Sequence, residues 1–193
     1  MSSQNNMPVF ITGNQNKADY LARQLGIAIR HQSVDLDELQ SLDPHVIVTH
    51  KLQQAYSIVQ APVLVEDVSL VFTALGKLPG PYIKWFVEYA GADACCKMLD
   101  GFDDRSATIQ CTFGFYDGDT IKLFDSIMPG TIAKAPAGTN GFGFDTIFIN
   151  EGKSITRAEM SQEENEHTYA TTMKPFRQVR EFLESYDALD GRQ

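Results

Sequence analysis

The sequence has little with which to build a disulfide frame, a membrane span or a nucleic-acid-binding face. Its three cysteines, Cys95, Cys96 and Cys111, are odd in number, two are adjacent, and their spacing matches no metal-ligand pattern. They read as reduced thiols, which points to a cytoplasmic protein. No uninterrupted apolar run approaches the ~20 residues that cross a bilayer, so no membrane partner is expected. Met1 to Met7 is polar and has no charged stretch leading into an apolar one, so no signal peptide is expected. Positive charge is also scarce: 16 Lys and Arg stand against 25 Asp and Glu, a net charge of −9. A general binder of nucleic-acid polymers needs a basic face to displace counterions, and that class is excluded. A small phosphorylated substrate is not, because a few lysines and a metal can override the global field locally. His31, His45, His50 and His167 form no ligand pattern and read as structural or surface groups. There is no nucleophile elbow and no Ser-His-Asp or Cys-His set.

What is present is enough for a globular fold. The 193 residues are 43 % apolar, which suits one domain with a proper core. Pro8 to Thr12 reads as a short buried strand, Lys17 to Leu25 as a helix stopped by Gly26, and Ile27 to Val34 as a second strand. Asp43-Pro44 opens a helix to about Gln60, with Ile47, Ala55 and Ile58 on one face. Val63-Leu64-Val65 predicts a compact strand ending at Glu66-Asp67. Gly76 to Pro81 reads as a loop, and Tyr82 to Tyr89 and Ala92 to Leu99 as helices. Ser106 to Tyr116, Thr120 to Ser126, Gly130 to Lys134 and Thr146 to Ile149 read as strands, with a turn at Asp117-Gly118-Asp119 and a flexible loop at Gly138 to Gly143. Pro175 to Tyr186 is amphipathic, with Phe176, Val179, Phe182 and Leu183 on one stripe. The alternation predicts an α/β protein with a long, partly antiparallel mixed sheet flanked by helices.

Four segments carry candidate chemistry. Thr12-Gly13-Asn14-Gln15-Asn16-Lys17 joins a strand to a helix start, a geometry that aims N–H groups and a helix dipole at an anion. It is not a Walker loop, and an ordinary helix cap with a solvated lysine is the plain alternative. Glu66 and Asp67 lie where α/β sheets place ligands, and Glu38 is a third candidate carboxylate. Such oxygen-rich groups suit Mg²⁺, with solvated strand-end charges as the alternative. Leu78 to Phe86 combines a rigid Pro-Gly-Pro turn with Lys84 near a helix start, within reach of a phosphate. Gly141-Phe142-Gly143-Phe144-Asp145 offers aromatics for a stacked base and a carboxylate for a base N–H, or a packing loop. Lys51, on the helix after Pro44, faces either phosphate or solvent.

Together these segments resemble the inosine triphosphate pyrophosphatase family, most closely its eukaryotic and archaeal branch. The resemblance rests on Ile11-Thr12-Gly13-Asn14 with Lys17, Asp35-Leu36 with Glu38, and Pro62 to Asp67. It continues through Ala74-Leu75-Gly76, Leu78 to Phe86, Phe142 to Asp145 and Ala158-Glu159-Met160, in the family's order. It implies an elongated α/β fold with a central mixed sheet, two lobes around a substrate cleft, and a homodimer. It also implies that Thr12 to Lys17 wrap the triphosphate, that Lys51 and Lys84 face phosphates, and that Phe142 to Asp145 contact the base. Glu38 and Asp67 would hold magnesium, with Asp67 or Glu66 activating water. The implied reaction is Mg²⁺-dependent hydrolysis of non-canonical purine nucleoside triphosphates to the monophosphate and pyrophosphate.

The chain departs from the family in its C-terminal part. Where the family has a Ser-His-Arg run at the start of its last helix, which reads the purine's 6-keto edge, position after Met160 gives Tyr169-Ala170-Thr171. Asn165 replaces a lysine expected in a loop, Val68 a Ser or Thr, and Val46 an acidic residue. Two readings follow. Either base preference is altered, with His167, Tyr169, Lys174 or Arg177 replacing the missing pair, or the protein is a low-turnover nucleotide binder or sensor. The intact set of carboxylates and lysines favours the enzyme.

Overall fold

The computed structural model describes residues 7–13, 15–27 and 29–190, with the side chains of residues 15, 16 and 187–190 excepted. Seven strands form one sheet in the order β2-β1-β3-β5-β6-β7, with β4 beside β3. The strands are β1 (Val9–Ile11), β2 (Arg30–Gln32), β3 (Val63–Phe72), β4 (Pro79–Gly80), β5 (Ser106–Tyr116), β6 (Ile121–Ile132) and β7 (Phe148–Asn150). β1 pairs parallel with β2 and β3, whereas β3–β4 and β6–β7 are antiparallel. The sheet is therefore mixed, as expected. The helices are α1 (Gln15–Leu25), α2 (Pro44–Val59), α3 (Ile83–Trp85), α4 (Ala92–Lys97), α5 (Gln162–Thr168) and α6 (Phe176–Asp190). No helix of the described residues is long and apolar enough to cross a membrane.

Contacts divide the chain into two compact units: Met1–Asp67 with Thr112–Asp125 and Pro175–Gln193, and Val68–Cys111 with Ser126–Lys174. In the first, α2 starts as its sequence dictates. Asp43 caps it by accepting from the His45 amide at 2.9 Å, Pro44 follows, and Gln60 closes it in a left-handed conformation with φ 52°. The helix buries Val48, Leu52 and Ala55 against Val63 and Val65 of β3. It lies so close to β5 that a Cβ on Gly114 would sit 2.4 Å from Val48 Cγ1, so only glycine fits there. Ile58, expected on the same face, is 55 % exposed in the last turn, and the buried stripe runs through Val48 and Leu52 instead. On α6, Phe176, Val179 and Leu183 are buried and Phe182 half-buried, and Phe176 packs on Phe113 and on Tyr20 of α1.

In the second unit, α3 continues directly into a π turn, Phe86–Ala90, and both pack on the turn Gly143–Thr146. Trp85 is 42 % exposed and stacks on Tyr89 at 5.7 Å. Arg105 binds the carbonyls of Cys96, Ile132 and Ala133, tying α4 to the end of β6. All three cysteines are buried free thiols, and burial pushes Cys96 up to about 11, so it is unreactive.

Several elements differ from the sequence expectation, among them β4, which lies in the stretch read as a loop. β3 does not stop at the carboxylates: Val68 to Phe72 continue it and pair with β4, so Glu66 and Asp67 lie mid-strand. β6 is one strand through Pro129 and Gly130 rather than two. α5 and a second π turn, Tyr169–Met173, occupy a stretch in which no element was expected.

Candidate active site

Asp67 is the centre of the first unit's polar cluster. α2 presents Lys51 to it, with Lys51 Nζ donating to Asp67 Oδ1 at 2.6 Å. The two side chains are 21 % and 13 % exposed, so solvent screens this pair only weakly. The other oxygen, Asp67 Oδ2, is buried and has no hydrogen-bond partner. Burial pushes the Asp67 carboxyl above its ordinary value of 3.8, and the Glu66 charge acts in the same direction. Lys51, through charge and hydrogen bond, and Lys17 pull it down without cancelling the rise. Lys17 is exposed on α1, yet its charge reaches Asp67. Four predicted residues (Lys17, Lys51, Glu66 and Asp67) thus come together electrostatically.

The remaining residues of the predicted loop are placed as follows. Thr12 follows β1, is half-buried, and its amide donates to the Gln32 carbonyl at 3.0 Å. Gly13 is exposed, and a Cβ there would meet Ser33 Oγ at 3.2 Å. Asn14 and the side chains of Gln15 and Asn16 lie outside the described residues. Glu38 is exposed in the segment before α2. Among the described residues, no three His, Cys, Asp or Glu side chains are grouped to share an ion.

Asp67 nevertheless fits a hard cation. A buried carboxylate oxygen that lacks a partner is costly to leave unsatisfied. Magnesium takes one or two carboxylates and completes its shell with water and substrate phosphates, so it does not need a cage of three protein ligands.

The second unit holds Lys84 and the Phe142 loop. Lys84 is exposed, with Nζ 5.2 Å from the Trp85 ring centroid. Gly141 and Gly143 adopt φ 76° and 60° and flank Phe142, which is 62 % exposed. Phe144 is half-buried. Asp145 is buried and is taken up first by its own surroundings: Oδ2 accepts from the Phe142 amide at 3.1 Å and Oδ1 from Arg157 Nε at 2.9 Å. Arg157, which is wholly buried, also donates to Asn165 Oδ1 at 2.5 Å and Asn150 Oδ1 at 3.5 Å. Asn165 thus belongs to a buried network on α5 rather than to a loop. Sequence reasoning missed Arg157, whose partners lie 7 to 12 residues away with no local pattern. It also missed the pair of His45 and Asp125, 2.7 Å apart, in which the other Asp125 oxygen accepts from buried Thr112 at 2.6 Å.

Comparison with known proteins agrees with the fold and extends over nearly the whole chain. The chain is 40 % identical to the inosine triphosphate pyrophosphatase of Schizosaccharomyces pombe, over 92 % of this chain and 95 % of that protein. It is 43 % identical to the inosine triphosphate pyrophosphatase of Candida albicans (strain WO-1), over 80 % of this chain and 76 % of that one. Among solved structures, the Ham1 protein of Staphylococcus aureus superposes with a TM-score of 0.79 at 22 % identity, covering 93 % of this chain and 99 % of that one. The Ham1 family model matches residues 8–181, and the chain belongs to that family.

Proposed function

We infer that this protein hydrolyses non-canonical purine nucleoside triphosphates, inosine triphosphate foremost, to the monophosphate and pyrophosphate. It is a hydrolase acting on acid anhydrides. The observation that carries the reading is the weakly screened Lys51–Asp67 pair, with Lys17 and Glu66 in its field, in a chain 40 % identical to a named inosine triphosphate pyrophosphatase.

Chemically, the task is to bring water to a crowded polyanion and to stabilise the charge that leaves. Lys17 and Lys51 supply positive charge in the first unit. The start of α1, at Gln15, adds backbone N–H groups that favour an anion. In the second unit, Lys84 keeps the phosphate-facing role and Phe142 to Asp145 the base-facing role that the family resemblance implies. Asp67 or its neighbour Glu66 helps activate the attacking water. A P–O bond forms at the α-phosphorus as the bond to the β-phosphate bridging oxygen breaks, and pyrophosphate departs. Positioning and charge neutralisation supply most of the acceleration. Asp67 would hold Mg²⁺ through its unpartnered oxygen, with Glu38 the second proposed ligand. When bound, the ion neutralises phosphate charge and makes pyrophosphate a better leaving group. A homodimer in the cytoplasm completes the proposal.

The site of attack is testable with isotope. In ¹⁸O-labelled water, the label should enter the monophosphate and leave the pyrophosphate unlabelled. Label in the pyrophosphate or in orthophosphate would place the attack elsewhere and refute the assignment.

A further inference from the structure

A wholly buried arginine underlies the loop that carries an exposed aromatic ring. In the second unit, Phe142 is 62 % exposed, whereas Asp145 is 1 % and Arg157 0 % exposed. Gly141 and Gly143 flank Phe142, and a glycine-rich surface loop is ordinarily loose. This one is fastened along its length. The Thr139 and Asn140 amides donate to the Ala158 carbonyl at 3.1 and 3.0 Å, and Asn140 Nδ2 donates to the Met160 carbonyl at 2.8 Å. The Phe142 amide donates to Asp145 Oδ2 at 3.1 Å, and the Asp145 amide returns a bond to the Phe142 carbonyl at 3.2 Å. A Cβ on Gly141 would lie 2.2 Å from Asp145 Oδ2, so the loop closes tightly over that carboxylate.

Arg157 holds the carboxylate from beneath. Its Nε donates to Asp145 Oδ1 at 2.9 Å, and its remaining nitrogens reach Asn165 and Asn150. It also precedes Ala158, whose carbonyl receives the two loop amides. One residue therefore meets the loop twice, by side chain through Asp145 and by backbone through its neighbour. Burying two charges is expensive, and a well-packed apolar pair of similar volume is often as stable, so stability alone does not account for this pair. What an apolar pair cannot supply is direction. The planar guanidinium fixes the Asp145 carboxylate, and the fixed carboxylate sets the Phe142 amide. With both oxygens engaged and almost no exposed surface, Asp145 acts through the backbone it holds.

The consequence is an exposed ring on an ordered backbone. A flat ligand that stacks on such a ring does not have to order the loop first, and preorganisation of this kind is gained as affinity. We propose that Arg157 is a positioning residue: through Asp145 it holds the Phe142 ring ready to stack a purine. This deepens the base-facing role proposed above and rests on that reading.

The test is a double-mutant cycle read by calorimetry with two probes, IMP and inorganic pyrophosphate. Arg157→Lys keeps a positive charge facing Asp145 but loses the planar fork. Phe142→Ala truncates an exposed side chain. In the parent, Phe142→Ala should lower IMP affinity roughly 5- to 100-fold, the worth of one base stacked on an aromatic ring. In the Arg157→Lys background the same truncation should cost less than about 3-fold, because the ring is no longer in place to be lost. Arg157→Lys alone should weaken IMP roughly 10-fold and change pyrophosphate by less than about 2-fold, since preorganisation of the loop bears on the base only. Thermal melts check that each variant folds. Hydrogen exchange in the parent adds a reading that needs no variant: the Phe142 amide should be protected although its side chain is exposed, and Arg157→Lys should speed its exchange. Additive losses of IMP affinity, equal losses for IMP and pyrophosphate, or a Phe142 amide that exchanges freely in the parent would each overturn the proposal. If the parent binds pyrophosphate but not IMP, the base-facing reading falls, while exchange at Phe142 still judges whether Arg157 holds the loop.

Discussion

Lys51→Met removes the ammonium from Asp67 while keeping most of the apolar stem on α2. The pair is 2.6 Å long, and its side chains are 21 % and 13 % exposed. That lies between an exposed ion pair, worth about 0–1 kcal/mol, and a buried one, whose breakage costs about 3–5 kcal/mol. A loss of about 2 kcal/mol at pH 8 follows, or roughly 4–8 °C in Tm for a chain of this size. The pH dependence has a definite sign. Asp67 is already raised in the fold by burial, and losing Lys51, the chief opposing influence, raises it further. A carboxyl with a higher folded than unfolded pKa binds its proton more tightly in the native state. Its contribution to stability is fully present below the unfolded value and is lost as pH rises through the folded one. The deficit of Lys51→Met should therefore be small near pH 4 and reach its full size by pH 8. Adding Asp67→Asn should recover most of it, because no buried charge is then left alone. Urea denaturation of the parent, both single variants and the double variant at the two pH values measures the coupling. Equal deficits at both pH values, or a double variant as unstable as Lys51→Met, would refute the reasoning.

Other outcomes follow from the same geometry. Asp67→Asn should keep the fold and lower kcat by roughly 10²- to 10⁴-fold, the worth of a positioned general base; circular dichroism and steady-state rates decide it. Lys17→Ala should weaken triphosphate affinity by roughly 10- to 100-fold in calorimetry, the cost of one charge-assisted contact. Arg157→Met should cost about 3–5 kcal/mol in denaturant unfolding, because it strands the buried Asp145 carboxylate.

The sequence showed some parts of this clearly, for local reasons. Asp43-Pro44 is a helix start whose cap and first turn lie next to each other, and α2 begins there. Asp117 folds its own turn by accepting from the amides of Asp119 and Thr120, and the β5–β6 turn falls as expected. Where the decisive partner is remote, the sequence was silent or misleading. Glu66-Asp67 looked like a strand end because carboxylates are uncommon in strands, yet pairing of Leu70 and Val71 with Gly80 and Pro79 carries β3 onward. The two strands expected on either side of Ile127 to Pro129 are one, β6, and at Gly130 an added Cβ would meet the Ile149 carbonyl at 2.3 Å. The residue types of the candidate site were legible, but its internal geometry was not. Nothing in the spacing of Lys51 and Asp67 announces an ion pair 16 residues apart, and nothing around Arg157 announces that it is buried.

The account is tested most directly by product analysis with ITP, XTP and the four common triphosphates, each with Mg²⁺ and with a chelator in its place. It predicts equimolar monophosphate and pyrophosphate from ITP with Mg²⁺, and neither product once the ion is removed. Tight ITP binding without turnover, or stepwise release of orthophosphate, would contradict it.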